Sequence, residues 1–190
     1  MVRAPAFPIA MLVVATSAVA AQDKPAARQI AEAVSALPAP MRDGAAVLGY
    51  RDGALVTLRG GSNGMECLAD DPAEEGLHVA CYHESLAPFM ARGRALKAEG
   101  KNTAEIKAMR EAEIAAGALP MPERAAVLYS ITGDDDAFDG TTGELNGSGL
   151  YVLYVPYATE ATLGISTRPA VDRPWLMEAG KPWAHVMIRR

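Results

Sequence analysis

The sequence predicts an α+β domain, a mainly antiparallel sheet covered by an N-terminal helix and a central helix pair. Short apolar runs bounded by turn residues come in groups, at residues 45–50 and 54–59, 65–69 and 77–82, and 126–132 and 150–155. Helical spacing is confined to residues 27–37 and 86–116. Strands and helices are therefore segregated rather than alternating, which favours α+β over a doubly wound α/β sheet.

The chain opens as a secretory leader. Arg3 gives a short basic start, residues 9–15 are uninterruptedly apolar, and Ala18 and Ala20 supply the small residues a signal peptidase reads. Cleavage after Ala20 is expected, leaving a single exported domain over residues 21–190. A membrane anchor is the alternative, but a spanning helix needs about 20 apolar residues. The run here ends within residues 9–21 and is broken by Thr16 and Ser17, so no integral membrane segment is expected after leader cleavage. The mature chain carries 17 basic and 23 acidic residues, a net charge of −6. Nucleic-acid binders are usually basic overall, so no nucleic-acid partner is expected.

Ala27, Ile30, Val34 and Leu37 recur at helical spacing, with Asp23 and Pro25 as start signals and Pro38 and Pro40 as the stop. Asp52-Gly53 then tolerates positive φ between two apolar runs and predicts a β-hairpin. Gly60-Gly61-Ser62-Asn63-Gly64 fits G-x-S-x-G, in which a serine on a strand-to-helix turn attacks a carbonyl, and Asp134 and His185 come later in the order acid, histidine. The residues after Gly64 read as a strand rather than a helix, which favours a flexible hairpin connection over a nucleophile. Ser62 and His185 thus stand as the candidate pair of a small serine hydrolase, an alternative to a non-catalytic domain.

Cys67 and Cys81 are the chain's two cysteines. In an oxidising compartment an even pair reads first as a disulfide. His78 and His83 flank Cys81 and suggest a metal set instead, yet the paired C-x2-C spacing is missing, and five residues apart in a strand the histidines project to opposite faces.

Ser85 caps a helix whose Leu86, Phe89, Gly93 and Leu96 share a face, and Gly100 ends it. Asn102 with Glu105 approximates a capping box, and Ile106, Met109, Ala112 and Ala116 form the apolar side of a second helix. Six basic residues on this pair, from Arg92 to Arg110, suggest a patch for an acidic partner. Four interleaved glutamates point instead to a solvated face of mixed charge.

Residues 126–132 and 150–155 are the most strand-like segments, and the second, apolar on both faces, is expected to be central. Asp134, Asp135, Asp136, Asp139 and Glu144 crowd one glycine-rich loop and suggest a hard cation, though EF-hand spacing does not fit and an exposed acidic turn is the plainer reading. In the proline-rich tail, Trp175 and Trp183 either line a ligand groove or cover an edge of the core. Residues 184–188 form the last strand, with His185 on the face of Met187. A lone histidine there is more often packed than catalytic.

Across residues 63–71, 80–83, 174–177 and 182–188 the chain resembles a group of uncharacterised secreted bacterial proteins. That resemblance implies export and a single domain, and names no substrate. The sequence therefore points to an exported domain, periplasmic or extracellular, that binds a small molecule or an envelope protein. The alternatives are the Ser62–His185 hydrolase and a metal-binding protein using His78, His83 or the acidic loop, with Asp134, Asp136 and Asp139 as ligands. No cofactor is implied.

Overall fold

The computed structural model describes residues 23–189, so the leader expected at residues 1–20 lies outside the described residues. The chain begins with helix α1 (Ala26–Val34) and the short α2 (Ala39–Arg42). The prolines expected only to stop the first helix also start the second: Pro38 is its N-cap and Pro40 lies in its first turn, where a missing N–H costs nothing.

β1 (Ala46–Arg51) and β2 (Ala54–Arg59) form the expected hairpin. Asp52 and Gly53 have φ of 53° and 73°, the type I′ turn whose twist matches that of the strands. β3 (Met65–Leu68) does not return beside β2 but runs parallel to β1 on its other side. The glycine-rich segment is thus a crossover rather than a hairpin connection. It needs Gly61, where a Cβ would stand 2.4 Å from the backbone nitrogen of Ala46.

β4 (Leu77–His83) pairs antiparallel with β3, and a 3₁₀ turn, Glu84–Leu86, leads into α3 (Ala87–Ala98) and α4 (Thr103–Ala115). The Asn102–Glu105 capping box is formed in both directions. β5 (Ala126–Gly133) comes next, then a two-residue hairpin of β6 (Phe138–Asp139) and β7 (Glu144–Leu145), and then β8 (Ser148–Tyr154). The chain ends with α5 (Glu160–Leu163), β9 (Trp175–Met177) and β10 (His185–Arg189).

The eight-stranded sheet runs β2-β1-β3-β4-β5-β8-β10-β9, antiparallel except for β1–β3. The fold is α+β, as the segregated pattern predicts. The strand expected at the centre, β8, is sixth of the eight, and its Leu153 is 37 % exposed. Its two-sided apolarity does not signal two covered faces, because α1 lies over β1, β2, β3 and β4 and stops short of it.

Alternation along β4 and β5 divides the core. Val79, Cys81 and Ile131 are buried with Ala33, Val34 and Leu37 from α1 and the loop after it, whereas Tyr82 and Ala126 are buried with Leu86, Phe89 and Trp183 on the opposite face. α3 thus packs across the sheet from α1. α4 is held differently from the expected Met109 and Ala112 stripe, since Ala112 and Ala116 are exposed. The Arg110 guanidinium lies 3.8 Å over the Phe89 ring, and Arg92 pairs with Glu113 at 2.7 Å across the two helices. Gly93 is part of this arrangement, because a Cβ there would meet Arg110 Nη1 at 2.9 Å.

Cys67 and Cys81 are bonded and stand directly opposite each other in the β3–β4 ladder. The bridge removes loop-closure freedom from the unfolded chain, and we expect Cys67→Ser to lower stability by about 2–4 kcal/mol. Chemical denaturation of both forms measures it. An unchanged midpoint would mean that packing around β3 suffices without the covalent link.

Candidate functional site

The candidate nucleophile and its base are far apart. Ser62 is exposed in the crossover, where its backbone N–H donates to Gly44 O at 2.7 Å. His185 is on β10, and β4, β5 and β8 lie between β3 and β10. At about 4.8 Å per strand, β3 and β10 are themselves roughly 19 Å apart. His185 is half-buried, packs against the Tyr154 ring at 5.1 Å between centroids, and donates from Nδ1 to Trp183 O at 2.8 Å. Its surroundings are those of a packed core histidine.

His78 and His83 sit on opposite faces of β4 with separate partners. His78 Nε2 bonds Ser130 Oγ at 3.0 Å. His83 Nδ1 accepts the Ser85 backbone N–H at 3.2 Å and lies 2.9 Å from Ser85 Oγ, so in the neutral ring Nε2 carries the proton. The imidazole caps the 3₁₀ turn, a role the sequence pattern gives to Ser85 itself. Cys81 is committed to the disulfide. In the acidic loop, Asp139 accepts from the backbone N–H of Thr141 at 2.7 Å, and the Thr141 and Thr142 donors hold its carboxyl below the usual range. Asp134 and Asp136 are exposed. Among the described residues no group of three or more His, Cys, Asp or Glu side chains converges as a metal set would.

The basic residues of the helix pair are engaged within the fold. Lys97 pairs with Glu74, Lys107 with Glu178, and Lys101 with Glu105. Arg94 donates to Tyr82 OH, which in turn donates to Glu66. They do not form a free cationic face.

The two tryptophans part company. Trp183 is a core residue, 4 % exposed and stacked on Phe89 at 6.0 Å between centroids, which removes it from any ligand groove. Trp175 is also buried, 6 % exposed, yet it lines an open cavity of about 380 Å³ with Pro169, Val171, Asp172, Arg173 and Arg189. Its indole Nε1 is buried without a hydrogen-bond partner. A larger cavity of about 650 Å³ lies across the ends of β4, β5 and β8, between His83, Ser85, residues 122–127 and Leu153, but its buried polar side-chain atoms are all satisfied by the fold.

Comparison with known proteins finds no matching family model, no similar curated protein and no similar solved structure. The site has to be read from its own geometry. Three buried side-chain polar atoms lack a partner among the described residues, Asp23 Oδ1, Arg110 Nε and Trp175 Nε1; Trp175 is the uncharged one, and a buried donor without an acceptor costs about 1–3 kcal/mol and calls for an explanation.

Two histidines, the half-buried His185 and His78 on the exposed face of β4, make stability pH-dependent. Partial desolvation of the ring lowers the pKa of both His185 and, although the residue is exposed, His78 from 6.5, against smaller opposing contributions from the Trp183 carbonyl at His185 and Asp70 at His78. The unfolded chain therefore binds more protons than the folded one just below that value, and stability rises with pH through this window. We expect full stability above about pH 7 and a loss toward pH 5, ahead of the carboxylates, whose ordinary values lie near 4. Urea midpoints of wild type and of the His78→Gln, His185→Gln double variant test it. The double variant should lose less between the two pH values, and an equal loss would place the effect elsewhere.

Proposed function

We propose that this protein is an exported, non-catalytic domain that binds a small anionic molecule in the cavity over Trp175. The observation carrying this reading is a cavity that Trp175 lines with Arg173 and Arg189 and, among the described residues, one acidic residue, Asp172, together with an indole N–H that is buried without an acceptor. A carboxylate or phosphate oxygen accepts from an indole N–H, and an apolar body would lie against Pro169 and the 75 % exposed Val171. Arg173 already contacts Asp172 at 3.2 Å, so among the described lining residues Arg189 is the cation left to meet the ligand. The separation of Ser62 from His185 and the separate commitments of His78 and His83 leave the hydrolase and metal readings without a supporting geometry.

Export rests on the leader, and the buried Cys67–Cys81 bridge fits an oxidising compartment. Among the described residues no helix is long and apolar enough to cross a membrane. N-terminal sequencing of protein recovered outside the cytoplasm should start at or within two residues of Ala21. An intact Met1 there would overturn the export reading.

The binding reading is tested by tryptophan fluorescence during titration with acetate, octanoate, benzoate and inorganic phosphate. We expect a saturable change with at least one of them. Trp175→Phe keeps an aromatic ring and loses the N–H, and should weaken binding by roughly tenfold, the scale of one hydrogen bond to a charged group; the readout for that variant is calorimetry. Arg189→Gln should weaken it similarly. No response to any of the four up to about 10 mM, a concentration well beyond weak binding, would overturn the proposal.

A further inference from the structure

The chain has two Asn-Gly dipeptides, Asn63-Gly64 and Asn146-Gly147. An asparagine in this context is especially prone to losing its side-chain amide, because a following glycine has no Cβ to keep its backbone nitrogen from reaching the asparagine Cγ. Both asparagines are exposed, so water reaches both. By sequence and access the two sites are alike, and the fold separates them.

Asn63 lies in the crossover between β2 and β3 and is pinned on three sides. Its Nδ2 donates to Met41 O at 2.8 Å, its Oδ1 accepts from Met65 N at 3.1 Å, and its backbone N–H donates to Gly44 O at 3.2 Å. The side chain is also packed against Gly44, where a Cβ would stand 2.9 Å from Nδ2. Ring closure swings Cγ onto Gly64 N and expels Nδ2, so it gives up both side-chain bonds.

Asn146 lies between β7 and β8, outside both strands. Its backbone N–H donates to Ala137 O at 2.9 Å, which holds the main chain in place. Its side chain makes no hydrogen bond among the described residues. Neither Gly64 nor Gly147 commits its own N–H to a backbone carbonyl among the described residues. The restraint on the side-chain amide is therefore what differs.

We infer that Asn146 is a site of spontaneous modification in the folded protein, with water as the co-reactant, and that the fold protects Asn63. The Gly147 nitrogen loses its proton to hydroxide and forms a bond to Cγ of Asn146. The Cγ–Nδ2 bond then breaks, Nδ2 takes up a proton and leaves as ammonia, and a cyclic imide remains. Water opens the imide at either carbonyl, giving an aspartyl or an isoaspartyl residue. Both products put a carboxylate where a neutral amide stood, next to the segment that carries Asp134, Asp135, Asp136, Asp139 and Glu144. The isoaspartyl product also lengthens the main chain by a methylene beside Gly147, where a Cβ would already stand 2.3 Å from Thr132 O. It should loosen the end of the β5–β8 ladder.

The test is incubation of the mature, disulfide-intact protein at mildly alkaline pH, with the peptides around both asparagines followed by mass spectrometry. The Asn146 peptide should gain the mass of the exchange of amide for acid. The Asn63 peptide should lag by roughly tenfold, the scale of opening two hydrogen bonds. In concentrated urea at the same pH the lag should disappear, since Ser62 before Asn63 is no bulkier than Leu145 before Asn146. Asn146→Gln, whose longer side chain closes a larger and slower ring, should keep the circular dichroism of wild type and remove the early product. Equal rates at the two sites in the folded protein, conversion of Asn63 first, or no conversion at Asn146 over a time in which the urea-unfolded chain converts fully would each overturn the inference. The same lag in urea would also overturn it, by placing the cause in the flanking sequence.

Discussion

The sheet depends on its shortest interior strand. β3 has four residues and pairs with β1 over only three of them, yet it is all that joins the β1–β2 hairpin to the other five strands. Three separate constraints hold this seam. The disulfide ties β3 to β4, α1 lies across β1, β3 and β4, and the Gln29 side chain takes the place of a strand beside Tyr50 where β3 has ended. A parallel pair this short gains little from its ladder. The covalent link and the helix therefore carry what hydrogen bonding alone does not.

α1 is fastened to the same region by charge. Glu32 is fully buried and meets Arg28 at 2.6 Å and Lys24 at 3.0 Å, while Lys24 also reaches Asp70 in the loop between β3 and β4. Removing one cation would leave an incompletely compensated buried carboxylate, which is far more costly than losing a surface pair. The network orients the helix over the seam, and the apolar contacts of Ala33, Val34 and Leu37 supply the burial.

Local chemistry is legible where the deciding residues are adjacent in sequence. Asp52-Gly53 announces its turn type, Asn102 and Glu105 their capping box, and the two cysteines their pairing. The features that escape depend on partners distant in the chain. Nothing in Gly60–Gly64 says that the segment crosses β1 rather than folding back, and the reason for Gly61 appears only once Ala46 is beside it. β8 is apolar on both faces, but α1 ends before reaching it, so an intrinsic pattern misreports coverage. Trp175 and Trp183 have the same Pro-Trp context. Only the fold separates the ring stacked on Phe89 from the ring left with an orphaned N–H.

The two open features of the molecule sit at opposite edges of the sheet, and each is open for a different physical reason. At β9 a side-chain donor is buried without an acceptor, a local cost that one acceptor atom would remove. At β2 the groups left unpaired by the sheet belong to the backbone and face solvent, where water satisfies them. The β3 seam lies between β2 and every residue of the Trp175 cavity, with four strands separating it from β9. A change at one edge must pass through that short ladder to be felt at the other, and the disulfide that stiffens the ladder gives it no second arrangement to adopt. A ligand at Trp175 should therefore leave the β1–β2 hairpin undisturbed.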